Sequence, residues 1–269
     1  MTGLAGTLRT LRNLTVYRQR LLDGVIHDVR QKYVGSVLGV FWVVLFPLLQ
    51  LSIYAGLYTI IFRVRVAGLG EWGYVLLVFS GLVPLLAFNE ILNAATSSLS
   101  ANKNLLLNTV FPAELIPLRA GLTAHVSSLF GLTATLLLGY VQGRTGWEAA
   151  VFVPIFWVLL VMFAISIGWM FSLLALVAKD IQHGLGLISM LLIVLSPFAY
   201  TPEMVPTLLK PIIYLNPLSY FVLTFQSLIC YGTMPDLVPM VGAVVLGVGG
   251  FLMSFTLFQR AKSVFFDYA

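Results

Sequence analysis

Residues 33–62 read YVGSVLGVFWVVLFPLLQLSIYAGLYTIIF, which is thirty consecutive positions without a charged side chain. About 20 predominantly apolar residues are enough for a helix to cross the hydrocarbon core of a bilayer. This stretch is therefore long enough to span a membrane. Six further uncharged stretches of 18 residues or more occur at 72–89, 120–143, 149–178, 181–202, 211–235 and 237–259.

The composition of the whole chain agrees with these stretches. Of its 269 residues, 59% are hydrophobic and 9% are charged, and the mean hydropathy is +0.98. About a quarter of the residues of a typical soluble domain are charged. Lipid permits only helices or closed barrels, and barrel strands alternate in segments of about 10 residues instead of forming long apolar runs. We therefore predict an all-α integral membrane protein.

The positions of the prolines indicate that only six of the seven uncharged stretches are continuous spans. Six of the 12 prolines lie within 197–235, a density that a continuous helix tolerates poorly. We interpret 203–235 as a re-entrant hairpin of short helices that enters the membrane and returns on the same side. This leaves a cytoplasmic segment at 1–34, a six-span domain at 35–259 and a tail at 260–269. The fifth span, near 186–201, is the shortest.

The net charge of +5 is interpreted as a topology signal. Six of the 15 Lys and Arg residues precede the first apolar stretch. If both termini are cytoplasmic, the inner segments hold eleven Lys and Arg residues and the outer segments hold four. This bias follows the positive-inside rule, so we predict cytoplasmic termini and no nucleic-acid partner.

The N-terminal segment has an amphipathic pattern. Between 21 and 33 the apolar residues follow helical spacing, with polar residues opposite, which predicts a helix lying in the membrane interface. Because about 32 residues precede the first apolar stretch, we expect no cleavable signal peptide there. A positively charged anchor that only sets topology is the alternative.

The sequence lacks the patterns of several kinds of active site. None of the five lysines follows a glycine, so there is no P-loop for a nucleotide. Cys230 is the single cysteine, and the aspartates are scattered, which favours neither a metal site nor catalysis. Glu90, His125 and His183 lie near the ends of predicted spans, where packing explains them better than proton coupling.

Four short segments share a further pattern. They are RQKY at 30–33 running through Ser36 and Leu38-Gly39 to Trp42, the segment from Asn104 to FPAELIPL at 111–118, KD at 179–180, and NP at 216–217. Together they resemble the ABC-2 type export permeases of bacterial polysaccharides. The chain departs from that pattern at Leu223 and Gln226, where the family often has a Glu and an Arg.

The resemblance implies a six-span permease of the bacterial cytoplasmic membrane that works as a homodimer. Each dimer would bind two copies of a separate ATPase subunit, which would hold ATP and Mg, while this chain would bind no cofactor. The implied cargo is a lipid-linked glycan of the capsule, O-antigen or teichoic-acid class. The N-terminal helix would be the family's interface helix, and 203–235 would lie near the periplasmic exit. Whether periplasmic export components bind there as a further partner is left open.

The resemblance also gives a role to the amphipathic segment 102–119, which would be the coupling helix that docks into the ATPase. Pro112 and Pro117 are expected to start and stop this short helix. An ordinary loop between spans is the alternative. The predicted docking residues are Arg30, Lys32, Lys103, Asn104, Leu106, Leu107, Val110, Phe111, Pro112, Glu114 and Pro117, with Arg119 at the rim.

Aromatic residues supply the candidate substrate path. An aromatic ring can stack against the apolar face of a sugar, although core packing or lipid contact is the alternative for each residue. The predicted path residues are Phe41, Trp42, Tyr54, Tyr58, Phe88, Phe198, Tyr200 and Tyr220. Two other functions stay open, an ABC-2 permease for a small amphiphile or drug and a membrane transferase that acts on lipid-linked sugars.

Overall fold

The computed structural model describes residues 3–64, 66, 68–102, 112–178 and 180–266, with only the backbone for 3–15, 263, 265 and 266. Within these residues every regular element is a helix, which confirms the all-α prediction. The α-helices are α1 Gly3–Gln31, α2 Trp42–Gly56, α3 Glu71–Ala101, α4 Leu115–Ala124, α5 Val126–Val141, α6 Glu148–Val177, α7 Asp180–Leu195, α8 Lys210–Leu215, α9 Pro217–Gln226, α10 Leu237–Val244 and α11 Gly250–Phe266.

Short helices of other types extend or join these elements. Turns of π-helix continue α2 at Leu57–Ile61, α9 at Ser227–Tyr231 and α10 at Val245–Gly249. Turns of 3-10 helix occur at Gly39–Phe41 and Pro202–Met204.

Four helical stretches in the described part of the chain are long and apolar enough to cross a membrane. A fifth crossing is formed if α4 and α5, which meet at a bend of 40°, count as one span. The chain is therefore a multi-pass membrane protein. The four stretches are Gly39–Ile61, Glu71–Ala101, Glu148–Val177 and Leu237–Lys262.

The span predicted near 186–201, the fifth along the chain, overlaps helix α7, which is short for a crossing. This helix has 16 residues, or about 24 Å, which is less than the roughly 30 Å hydrocarbon core. The helix ends at Leu195 because Pro197 disfavours the helical conformation at the residue before it. The sixth crossing and the re-entrant hairpin remain predictions.

Helix α3 is longer than its predicted span at 72–89, because the charged Glu90 does not end it. The Glu90 carboxylate accepts a hydrogen bond from the Ser128 hydroxyl of α5 at 2.7 Å. Asn93 donates to the Asn89 carbonyl at 2.8 Å. Polar groups whose hydrogen bonds are made to a neighbouring helix or within their own helix can lie within a long helix, which here continues to Ala101.

Helices α3 and α6 form the centre of the bundle. At their crossing, a Cβ atom added to Gly168 would overlap the Cβ of Ala95, so small residues allow the two helices to approach closely. Phe163 of α6 stacks against Phe88 of α3 and Phe221 of α9, with each pair of ring centroids 5.6 Å apart. This stack fastens the short helix α9 to the central pair.

Candidate functional site

Three parts of the chain meet at one end of the bundle, which we call the terminal face. They are α1, the segment 112–119 and the last turns of α11. Segment 112–119 comprises a turn and the first residues of α4. It lies between the other two parts and is bonded to both.

Glu114 attaches segment 112–119 to α6 and α11. Its side chain is buried, and the carboxylate accepts a hydrogen bond from Lys262 Nζ of α11 at 3.2 Å. Its backbone carbonyl accepts one from Trp169 Nε1 of α6 at 2.9 Å. The Trp169 ring in turn packs against Phe251 and Phe255 of α11, with centroids 4.9 and 5.5 Å apart. The segment is thus fixed to α11 by an ion pair and to α6 by an indole hydrogen bond.

Arg119 attaches the same segment to α1. Its Nε and terminal nitrogen donate to the two carboxylate oxygens of Asp28 at 2.7 and 2.5 Å. This two-point geometry is the strongest arrangement that an arginine–carboxylate pair adopts. Gly24 makes room for it, because a Cβ atom there would lie 2.7 Å from Arg119 Nε. The N-terminal helix is therefore held to the segment at one defined place.

The Asp28–Arg119 pair is expected to contribute modestly to stability. Both side chains are about one third exposed, so we expect a coupling free energy of about 0.5–1 kcal/mol in a double-mutant cycle of Asp28→Asn and Arg119→Gln. Thermal denaturation of the purified variants measures it. The control cycle pairs Arg119→Gln with Asp23→Asn on the exposed face of α1 and should show no coupling. Equal coupling in the two cycles would contradict the direct ion pair.

The structure places only part of the predicted docking set. Lys103, Asn104, Leu106, Leu107, Val110 and Phe111 lie outside the described residues. Arg30 and Lys32 are exposed at the end of α1 and just beyond it, and Pro112 is half-buried. Glu114 and Pro117 are buried. The described docking candidates therefore divide into accessible residues and residues that hold the segment in place.

The predicted role of Pro117 as the end of a short helix is wrong. Pro117 is the third residue of α4, which begins at Leu115 and continues to Ala124. The first four N–H groups of a helix have no partner within it, so a proline in the first turn breaks no hydrogen bond.

The partners of Glu114 and Arg119 were not identified from the sequence. Asp28 is 91 residues from Arg119, and Lys262 is 148 residues from Glu114. Patterns based on helical spacing relate residues that are a few positions apart. The only available signal was that these charged residues lie just outside the apolar stretches.

Three of the eight predicted path aromatics lie together. The rings of Tyr54 and Tyr58, on α2 and its π turn, meet the ring of Phe198 edge to face, with centroids 6.3 and 5.8 Å apart. Both tyrosines are half-buried, whereas Phe198 is buried. This cluster joins α2 to the segment that follows α7.

The other predicted path residues lie elsewhere. Phe41 is exposed and Trp42 half-buried at the opposite end of α2 from Tyr58, and Phe88 is buried in the ring stack of the core. The hydroxyl of Tyr200 donates to a backbone carbonyl at 2.8 Å, and that of Tyr220 does so at 2.7 Å. In this conformation the eight aromatics do not line one continuous surface.

Two buried amides organise residues 196–231, which we call the short-helix module. Asn216 accepts a hydrogen bond from the N–H of Leu218 at 3.0 Å and so caps α9. It donates to the Leu192 carbonyl at 3.0 Å and the Ser196 hydroxyl at 2.8 Å. The break between α8 and α9 is thereby tied to the end of α7.

Gln226, the second buried amide, also makes hydrogen bonds that hold the module in place. Its amide nitrogen lies 2.9 Å from the Pro197 carbonyl oxygen and 3.3 Å from that of Phe198. A third carbonyl, that of Leu77 in α3, is 3.4 Å away. Gly81 allows this approach, because a Cβ atom there would lie 2.8 Å from the Phe198 Cα. The neutral amide therefore holds the module against α3.

Within the described ranges, no group of three or more His, Cys, Asp or Glu side chains could hold a metal ion.

Comparison with known proteins gives two kinds of match. The family model described as "ABC-2 type transporter" matches residues 26–230. The chain is 23% identical over 261 residues to the "O-antigen export system permease protein RfbA" of Myxococcus xanthus, covering 96% of this chain and 98% of that protein. It is 28% identical over 208 residues to a protein of the same name from Klebsiella pneumoniae, covering 77% of this chain and 78% of that protein.

Proposed function

Because this chain belongs to the ABC-2 type transporter family, we propose that it is the permease subunit of an ATP-driven exporter for a lipid-linked polysaccharide of the O-antigen class. The observation that carries this proposal is the alignment with an O-antigen export permease over nearly the full length of both chains. Related glycans of the capsule or teichoic-acid class have the same general chemistry, a long sugar chain on a lipid anchor.

ATP and Mg are assigned to a separate subunit. The sequence has no glycine-preceded lysine for a P-loop, so the energy must come from a partner ATPase. We propose a homodimer of this chain with two ATPase copies. The exposed Arg30 and Lys32 beside segment 112–119 would contact the ATPase, and residues 103–111 would complete the docking surface.

The proposed topology has six spans and both termini in the cytoplasm of a bacterium, at the inner membrane. The excess of Lys and Arg in the predicted inner segments supports this orientation. The remaining crossing, which is the span predicted near 186–201, would consist of α7 extended by residues 196–201, and 203–235 would be a re-entrant hairpin on the periplasmic side. The broken helices of this region are tolerated at membrane depth because protein surrounds much of their backbone.

Force applied by the ATPase would enter through segment 102–119. Its described part is bonded to α1 through Asp28–Arg119 and to α11 through Glu114–Lys262. A displacement of the segment would therefore move the N-terminal and C-terminal helices with it. This arrangement supports a rigid-body opening of the path between the two protomers.

Sugar contact is assigned first to Tyr54 and Tyr58. They are half-buried aromatics on the side of α2 that meets the short-helix module, so part of each ring is free to stack on a glycan. Phe41, Trp42, Tyr200 and Tyr220 are further candidates. Phe88 and Phe198 would support the path from the core.

The test is export from proteoliposomes that contain the chain and the ATPase that copurifies with it. We expect ATP-dependent movement of a lipid-linked glycan and a loss of about tenfold for the double variant Tyr54→Ala/Tyr58→Ala, since each ring contact contributes about 0.5–1.5 kcal/mol. The control is Trp147→Ala, an exposed tryptophan between α5 and α6. Movement of small amphiphiles without glycan, or sugar transfer by the isolated chain, would overturn the proposal.

A further inference from the structure

A cavity of about 510 Å³ lies between α2, α3 and α5 near the loop that joins α2 to α3. Its walls extend along α2 from Ser52 to Thr59 and along α3 from Glu71 to Phe79. At 1.5 Å per residue these segments are roughly 10 Å long. Three small residues create the space, namely Ala55, Gly56 and Ala134. The cavity is open on one side, where Ser52, Glu71 and Trp72 are exposed.

The wall of this cavity is mostly apolar away from its charged mouth. The Ser52 and Thr59 hydroxyls each donate to a carbonyl of their own helix at 2.7 Å, which leaves neither proton for a ligand. The remaining wall consists of residues such as Val75, Phe79 and Leu138. A glycan would lose the hydrogen bonds of its hydroxyls in this space. A hydrocarbon chain would lose none.

The mouth of the cavity carries one charge of each sign. A second cavity of about 270 Å³ shares Thr59, Ile60 and Glu71 with the first and is also lined by Arg63. Glu71 and Arg63 are exposed, and neither has an ion-pair partner among the residues that the structure describes. The exposed Trp72 lies beside them, at the level where tryptophans occupy the membrane–water interface. An apolar cavity with a cation and an anion at its mouth is complementary to a zwitterionic lipid.

We propose that this cavity binds one zwitterionic aminophospholipid of the bilayer, with an acyl chain between α2, α3 and α5. Its phosphate would pair with Arg63 and its ammonium group with Glu71. A polyprenyl pyrophosphate cargo is disfavoured, because Glu71 would repel its multiple negative charges. The lipid would fill the gap between α2 and the rest of the bundle. This site does not depend on the identity of the exported cargo.

The experiment uses the full-length chain in nanodiscs made of equimolar phosphatidylethanolamine and phosphatidylglycerol with identical acyl chains. After transfer to mild detergent, native mass spectrometry counts the lipids that remain bound. We expect phosphatidylethanolamine to be enriched about threefold, the size of effect that an exposed ion pair provides. Glu71→Gln should bring the ratio of the two lipids close to one, and Arg63→Gln should lower the retention of both.

A matched pair of variants tests whether the lipid occupies the cavity itself. Ala134→Phe places a ring in the cavity and should reduce the retention of both lipids, whereas Leu137→Phe on the lipid-exposed side of the same helix should not. Size-exclusion profiles check that the variants fold, and the exposed Glu71→Gln change provides a test that does not alter packing. Equal retention of the two lipids by the wild-type chain, or unchanged retention by Ala134→Phe, would overturn the proposal. Because this experiment measures lipid binding and not transport, its outcome does not decide the outcome of the export test.

Discussion

Replacing Lys262 by methionine is expected to destabilise the terminal face more than any other single change of a charged residue there. The Glu114 side chain is 4% exposed, and its carboxylate would lose its cationic partner. Removing one member of a fully buried pair costs about 3–5 kcal/mol, and the one-third exposure of Lys262 lowers our expectation to about 2–3 kcal/mol. Thermal denaturation of the purified chain measures the loss. We also expect export to fall, since α11 would no longer be bonded to segment 112–119.

Two further variants separate the ion pair from general effects. Lys262→Met combined with Glu114→Gln removes both charges and should recover most of the lost stability, because no charge is left buried alone. Arg260→Met changes an exposed cation of the same helix and should shift stability by less than about 0.5 kcal/mol. If the double variant is as unstable as Lys262→Met, the ion pair is not the cause.

Gln226→Leu is expected to release the short-helix module from α3. The substitution nearly conserves volume, so the main loss is the donor for the Pro197 and Phe198 carbonyls. These carbonyls lie in a non-helical segment, and among the described residues Gln226 is the donor that satisfies them. Leaving buried acceptors unpaired costs about 1–3 kcal/mol. Thermal denaturation should detect the loss of stability, and export should fall with it.

The control for this variant is Gln182→Leu. Gln182 makes one amide hydrogen bond, to the Ser100 hydroxyl at 3.0 Å, and is half-buried, so a small effect is expected. Gly81→Ala offers a second route to the same contact, because its Cβ atom would lie 2.8 Å from the Phe198 Cα and 3.0 Å from Gln226 Nε2. Stability unchanged by both Gln226→Leu and Gly81→Ala would rule out the attachment of the module to α3.

The fold class could be read from the sequence because it depends on a property of contiguous residues. A helix satisfies its backbone within one segment, so the absence of charge over 33–62 was sufficient to predict a membrane helix. The family was recognised on the same basis, from the motifs near Arg30 and Phe111, and the family match confirms it.

The limits of individual helices were harder to predict. Glu90 was taken as the end of a span, yet Ser128 on another helix binds its carboxylate and α3 continues to Ala101. Pro117 was taken as a helix end, yet it lies in a first turn, where its missing N–H costs nothing. In both cases the residue type was informative, but its effect depended on the position of neighbouring groups.

The attachments of the candidate site arise only in three dimensions. Glu114 and Arg119 were recognised as charged residues of an amphipathic segment, but Lys262 and Asp28 reach them from opposite ends of the chain. Likewise, Phe88 and Tyr54 are equivalent as aromatic residues of apolar stretches, and only packing separates a ring in the core stack from a half-buried ring beside the module.

The amino-acid sequence therefore determined that the chain is a multi-pass helical membrane protein of the ABC-2 type, because hydropathy, charge and short motifs are local properties. Tertiary structure decided which charges pair at the terminal face, which amides hold the short-helix module and where a cavity remains. The physical reason is that these ion pairs and amide hydrogen bonds join residues up to 149 positions apart in the chain, and that packing defects depend on how separate helices fit together.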